Sequence, residues 1–294
     1  MSKHINEFKA HLQNTKSASE NTVVSYIRDI NKFNEYVYSI GIKTITKCTA
    51  ENISGYIEYL KDLGKSNSTI TRSIASLRAF YTYLQSKNIV SQNPTKSIKL
   101  EKSKKILPRI LTSKEVELFL SQPKCDSLKG YRDKAMLELL YATGIRVSEL
   151  IALDVNDVNT ELGFIRCGSG NSERVIPLYN AAVSALAEYL ALSRPLLLSN
   201  TAEKSLFLNL NGARMTRQGF WKIIKHYQET ANITTDITPH VLRHSFAAHL
   251  LENGADIGII KEMMGHSDIS STLVYAQLIK SNLKSSYIKF HPRA

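Results

Sequence analysis

The sequence predicts a mainly α-helical protein in two parts: an N-terminal helical bundle, then a larger, mostly helical domain carrying a small antiparallel β-sheet. Three observations predict it. Apolar residues recur at helical spacing through residues 5–84. The period changes only around 163–178, then returns to helical. Between the two parts runs a lysine-rich stretch bracketed by prolines.

Ile5, Phe8 and Leu12 mark a short first helix, and Tyr26, Ile27, Ile30, Phe33 and Val37 a second. Ile53, Tyr56, Ile57 and Leu60 make a third. Ser68 suits the N-cap of a fourth, whose stripe is Ile70, Ile74, Leu77, Tyr81 and Leu84. These stripes read as core packing of a small bundle over residues 1–92. Residues 93–109 read as a linker: Pro94 and Pro108 bracket it, and five lysines plus Arg109 face a single Glu101. The second domain, 110–294, opens with a capping box, Thr112 and Glu115. Helical pattern runs through Met136–Leu140 and resumes at Val147–Leu150. Phe164–Cys167 and Arg174–Ile176 flank Gly168-Ser169-Gly170-Asn171, a β-hairpin signature. Helices return at Ala181–Ser193, Arg217–Tyr227, Pro239–Leu251 and Ile257–Met264.

A chain of 294 residues, 43% hydrophobic, can bury two modest cores. No run approaches the roughly 18–20 apolar residues of a membrane helix, and the first residues lack the apolar core of a secretory signal. The expected location is therefore the cytosol, with no membrane partner. Cys48, Cys125 and Cys167 lie far apart without a Cys-x-x-Cys pair, so neither disulfides nor a zinc site is expected. The net charge of +12 and a pI near 9.5 point to a polyanionic partner. Residues 1–107 hold 17 Lys+Arg against 8 Asp+Glu, whereas the rest hold 21 against 18. A positive first third suits tracking a phosphate backbone, with binding that weakens steeply as salt rises. The lysines of the linker can touch phosphates as well.

Three clusters carry candidate chemistry. In Thr143-Gly-Ile-Arg146-Val-Ser-Glu149-Leu150, Thr143 as a cap would put Arg146 in a helix's first turn, where the dipole favours an anion. An ion pair with Glu149, three residues on, explains Arg146 equally well in isolation. In Thr238-Pro239-His240-Val-Leu-Arg243-His244, Thr238 and Pro239 start a helix, and His240 and Arg243 are expected to share a face at its positive end. The dipole would keep His240 neutral and able to accept a proton. His244 is placed on a different face and read as a plain surface or core residue. The third cluster is Gly265-His266-Ser267, followed by Tyr275, one of 14 tyrosines. Gly265 suits a helix C-cap, and His266 alone would be a turn residue.

Taken together, two arginines, two histidines and a tyrosine fit in-line attack on a phosphodiester without metal or cofactor. A guanidinium fork grips two non-bridging oxygens and stabilises the charge that grows there in the transition state. A phenol with a pKa of about 10 needs a base or a strong positive potential to attack at neutral pH. His240 could supply the first and the arginines the second.

The set closely resembles the tyrosine site-specific recombinases of the phage-integrase family and, within them, the bacterial Xer group. The resemblance rests on the three segments above with Tyr275, on Thr69-Ile-Thr-Arg-Ser-Ile-Ala-Ser-Leu-Arg78, and on the closing His291-Pro-Arg-Ala294. It covers nearly the whole chain. It implies a SAM-like core-binding bundle and a catalytic domain clamping double-stranded DNA at a specific recombination site. It further implies Tyr275 as nucleophile forming a 3′-phosphotyrosyl link, Arg146 and Arg243 on the scissile phosphate, and His240 and His266 assisting with hydrogen bonds and proton transfer. A homo- or hetero-tetramer with a sister recombinase, a DNA translocase as accessory, and a nucleoid role in chromosome dimer resolution are implied as well. Residues after Tyr275 are implied to dock on a neighbouring protomer.

One departure stands out. The family's hairpin reads Gly-Lys-Gly-Asn-Lys-Glu-Arg, its first lysine protonating the leaving 5′-oxygen. Here Ser169 and Ser172 occupy both lysine positions. Losing a general acid costs about 10²–10⁴ in rate. An engineered slow variant, a member using another donor, or a protein that binds without cutting are all open. The expectation is slow or absent cleavage with DNA binding retained. Two competing readings accompany the recombinase. A non-catalytic DNA-binding or synaptic partner would form no Tyr275-linked DNA. A type IB topoisomerase would relax supercoils without a specific site.

Overall fold

The computed structural model describes residues 3–14, 19–99, 109–168 and 170–265, the side chain of Asn171 excepted. The chain divides into two compact units, Met1–Lys105 and Ile106–Ala294.

The first unit is four helices, α1 (Lys3–Asn14), α2 (Glu20–Ser39), α3 (Ala50–Asp62) and α4 (Asn67–Ser86), with one 3₁₀ turn at Ile45–Lys47. Each apolar stripe read from the sequence turns inward. Phe8, Phe33, Tyr56, Phe80 and Tyr81 are fully buried. Phe8 and Phe80 meet edge to face at 5.3 Å. Burial of each such side chain contributes about 1.5–3 kcal/mol. The Tyr81 hydroxyl donates to the Ile45 carbonyl at 2.7 Å, so the phenol is buried without loss of a partner. The buried Asp29 carboxylate accepts from Arg72 at 2.6 Å and from Ser76 at 3.0 Å, pinning α2 to α4.

The expected cap of α4 is displaced. Ser66, not Ser68, is the N-cap, and its hydroxyl accepts from the Thr69 N–H at 3.3 Å. Two serines in three residues offer the same chemistry, and only the backbone turn decides between them. Residues 93–99, the opening of the expected linker, are fastened to the first unit. Asn93 caps the turn by accepting from Thr95 N–H at 2.9 Å, Arg78 donates to the Ile98 carbonyl at 3.1 Å, and Ile98 packs on the core. Residues 100–108, the rest of that stretch apart from Arg109, lie outside the described residues.

The second unit is built around α6 (Leu128–Thr143). Before it comes α5 (Ser113–Leu120), opened by the capping box: Glu115 N–H donates to Thr112 Oγ1 at 3.2 Å and Thr112 N–H to Glu115 Oε2 at 2.8 Å. After it come α7 (Val147–Ala152) and a three-stranded antiparallel sheet, β1 (Val158–Asn159), β2 (Phe164–Cys167) and β3 (Arg174–Pro177), in that order. The hairpin register pairs Ile165 with Ile176 and Cys167 with Arg174. Strand β1 has no counterpart in the sequence pattern. A two-residue strand has no alternation to detect.

Helix α8 (Asn180–Glu188) continues through a π turn at Tyr189–Ser193 into α9 (Arg194–Leu197). Pro195 has no N–H to give, and the π turn lies just before it, closed by the Arg194 N–H on the Tyr189 carbonyl. Then follow α10 (Arg217–Thr230), α11 (Pro239–Glu252) and α12 (Ile257–Met264). Helix α6 is buried on nearly all sides by α5, α7, α8 and α11. No helix among the described residues is long and apolar enough to cross a membrane.

Candidate active site

The first cluster folds differently from its sequence reading. Thr143 does not open a helix; it is the last residue of α6, buried, with its hydroxyl donating to the Leu139 carbonyl at 2.7 Å. Gly144 then ends α6 in the left-handed conformation at φ +57°. Any side chain there would meet the Phe246 ring, a Cβ lying 2.2 Å from its nearest atom. The chain reverses, and Arg146 itself is the N-cap of α7. Its backbone N–H donates to Glu149 Oε2 at 2.7 Å.

The second cluster starts α11 as expected: Thr238 Oγ1 accepts from the Val241 N–H at 3.2 Å, with Pro239 at the first helical position. From there the side chains part. Arg243 is 5% exposed, whereas His240 is exposed. Arg243 donates to the Gly144 carbonyl, and to the Met264 carbonyl at 2.7 Å. The ring beside His240 is His244, at 6.4 Å between centroids. His244 thus shares His240's face rather than a different one, because residues four apart are neighbours on a helix. Burial, with the charges of His240 and Arg243 behind it, pushes the His244 imidazole pKa down to about 4.

The third cluster begins at the end of α12. Gly265 is its C-cap at φ +63°. His266 and Tyr275 lie outside the described residues, as does Ser169 in the hairpin.

What the fold brings together is guanidinium groups on one helix end. Arg174 Nε donates to the Met263 carbonyl at 2.7 Å, Arg243 Nη2 to that of Met264 at 2.7 Å, and Arg146 Nη2 to that of Gly265 at 3.0 Å. Three successive carbonyls at the negative end of a helix dipole are each read by a different arginine. Glu149 pairs with two of these arginines, Arg146 and Arg174. Arg174 donates to both of its oxygens, at 3.1 and 3.2 Å, and Arg146 Nη1 lies 3.4 Å away. Burial pushes the Glu149 carboxyl up, but the Arg174 hydrogen bonds and the Arg146 N–H outweigh it, and its pKa falls below the usual range. The Arg146 side chain stays 45% exposed, open to an incoming anion, while that of Arg174 is 7% exposed.

Sequence reasoning treated Glu149 as the alternative to a functional Arg146. The structure makes it the carboxylate that holds Arg146. In the sequence Arg174 merely flanks the hairpin turn. Its partners are 25 and 89 residues away, and no local pattern signals them.

The chain matches the Phage integrase family over residues 109–282 and the Phage integrase, N-terminal SAM-like domain, over residues 5–88. It is 44% identical over 291 residues to Tyrosine recombinase XerD of Staphylococcus epidermidis, covering 99% of each chain. It is 45% identical over 294 residues to the protein of that name from Oceanobacillus iheyensis, covering 99% of this chain and 98% of the other. Among solved structures, the XerH site-specific recombinase bound to palindromic difH substrate, a post-cleavage complex, matches with a TM-score of 0.75 at 23% identity. That match covers 96% of this chain and 83% of the other.

Proposed function

The chain belongs to the phage integrase family, and we propose that it cuts and rejoins double-stranded DNA at a specific site, as an Xer-type tyrosine recombinase. It is a DNA strand transferase whose nucleophile is Tyr275. The phenolic oxygen attacks the scissile phosphorus, the bond to the 5′-oxygen breaks, and a 3′-phosphotyrosyl link holds the strand. The phenol's proton passes to a neighbouring base, for which His240 is our candidate; the departing 5′-oxygen takes up a proton. Rejoining reverses these steps with a new 5′-hydroxyl. Arg146 and Arg243 hold the non-bridging oxygens, and His266 donates a hydrogen bond to them. No cofactor takes part in this scheme.

The observation that supports this reading best is the convergence of Arg146 and Arg243 on adjacent carbonyls at the end of α12, directly before His266. Residues 97 apart in sequence thus meet where the tyrosine-bearing segment starts. Partly buried guanidinium groups stabilise growing charge more than they would in water. The finer parts of the reading are a tetramer on two DNA sites, a sister recombinase, an accessory translocase, and action on the nucleoid in chromosome dimer resolution.

A suicide DNA substrate tests the core claim. The chain should form a covalent protein–DNA adduct that vanishes in Tyr275→Phe. With serine at position 169, adduct formation should be slow, and Ser169→Lys should accelerate it by about 10²–10⁴. DNA binding without any adduct in either chain would favour the non-catalytic partner instead. Equally rapid adduct formation by both would end the claim about Ser169.

A further inference from the structure

We infer that Arg174 is a positioning residue for strand cleavage: it ties the end of α12, and so the start of the segment carrying His266 and Tyr275, to the carboxylate that orients Arg146. The inference rests on the recombinase reading above and adds a residue and a device to it.

Four observations carry it. All three nitrogens of Arg174 are engaged within the protein: Nε donates to the Met263 carbonyl, and Nη1 and Nη2 to the two oxygens of Glu149. Its side chain is 7% exposed, against 45% for that of Arg146, so its protein partners define its role. A buried arginine is retained only where its fork is matched, and here it is matched on both sides. Second, the same carboxylate receives the Arg146 backbone N–H at 2.7 Å, so Arg174 and Arg146 share one anchor.

Third, Gly265 is shaped around this guanidinium. A Cβ at Gly265 would sit 2.8 Å from Arg174 Cζ and 2.8 Å from Nη1, and the residue is left-handed at φ +63°. The flat guanidinium lies against the glycine, which closes the helix one residue before His266. Fourth, Arg174 comes from β3, paired with Cys167 of β2 across the hairpin that holds position 169. One side chain therefore links the hairpin, the Arg146 turn and the end of α12. Cleavage needs groups from all three to meet at one phosphorus, and a misplacement of about 1 Å costs on the order of 10²-fold in rate.

The test uses the full chain, with Arg174→Gln and Arg174→Lys, alone and combined with His266→Ala. Single-turnover adduct formation is measured on the suicide substrate, in the chain as it is and with Ser169→Lys. Arg174→Gln should slow adduct formation on the order of 10²-fold. DNA affinity should change by less than about twofold, because the partners it loses lie within the protein. Arg174→Lys should recover only part of the rate, since one ammonium cannot make the three fork bonds. In the His266→Ala background, Arg174→Gln should add little further loss, because the two act through one geometry. A merely structural arginine would instead multiply its effect with that of His266→Ala.

Amide hydrogen exchange gives a readout independent of cleavage: exchange across α12's last turn should rise in Arg174→Gln while α6 stays protected. Unchanged exchange in that turn, an unchanged cleavage rate, or fully multiplicative losses would each overturn the inference. If neither the chain nor its Ser169→Lys variant forms a Tyr275-dependent adduct, the recombinase reading fails and this inference falls with it. If adduct forms normally in Arg174→Gln, only this inference fails.

Discussion

In the first unit arginines are few, and cohesion comes mainly from apolar packing. Arg72 pairs with the buried Asp29, and Arg78, within α4, donates to the Ile98 carbonyl of the stretch that follows. The four helices meet through apolar stripes, and Phe33, Phe80 and their neighbours supply the cohesion. In the second unit arginines are structural bolts. Arg194 donates to the carbonyls of Glu203, Ser205 and Leu206, Arg214 to those of Ile151 and Leu153, and Arg132 to that of Leu208. Arg146, Arg174 and Arg243 repeat this device at the end of α12. The difference teaches that the candidate active site reuses a general habit of its domain: guanidinium forks satisfying backbone carbonyls that helices and loops leave open. At α12 the same forks are also placed where an anion can arrive.

Three measurements would break or sharpen this contrast, taken from the largest expected effect. Phe80→Ala should cost the first unit about 3–5 kcal/mol in urea unfolding, since the ring is fully buried against Phe8 and Tyr81. A loss below about 1 kcal/mol would refute an apolar origin for that unit's stability. Arg243→Ala should slow adduct formation by about 10²–10³ and also lower the melting temperature. The rate falls because the phosphate oxygens lose a guanidinium, and the stability because the Gly144 and Met264 carbonyls lose their donor. A slowed enzyme of unchanged stability would separate catalysis from the bolting role.

The smallest effect concerns pH. His244 has a folded-state pKa near 4, below the ordinary 6.5. In that window the unfolded chain binds the proton more readily. Stability from this group is therefore full above about pH 6.5 and is lost as pH falls towards 4. The melting temperature of His244→Gln should fall less steeply than that of the parent between pH 6.5 and 4. Parallel curves would remove His244 as the source.

The sequence by itself determined whatever depends on neighbours a few residues apart. The stripes of α2 and α4, the capping box at Thr112 and Glu115, the Thr238–Pro239 start of α11 and the Gly265 stop of α12 were all legible. Helical periodicity, caps and left-handed glycines are set by contacts within one or two turns. Local chemistry failed where it was degenerate or incomplete. Ser66 and Ser68 are equivalent on paper. Thr143 looked like a cap until Gly144, pressed against Phe246, turned the chain the other way. Motif resemblance named Arg146 and Arg243 but not Arg174 as their companion. Only tertiary structure decided that three arginines from α7's cap, β3 and α11 would meet on consecutive carbonyls. The physical reason is range: a guanidinium reads whichever carbonyl the fold delivers, and the distance along the chain leaves no trace in the residues between.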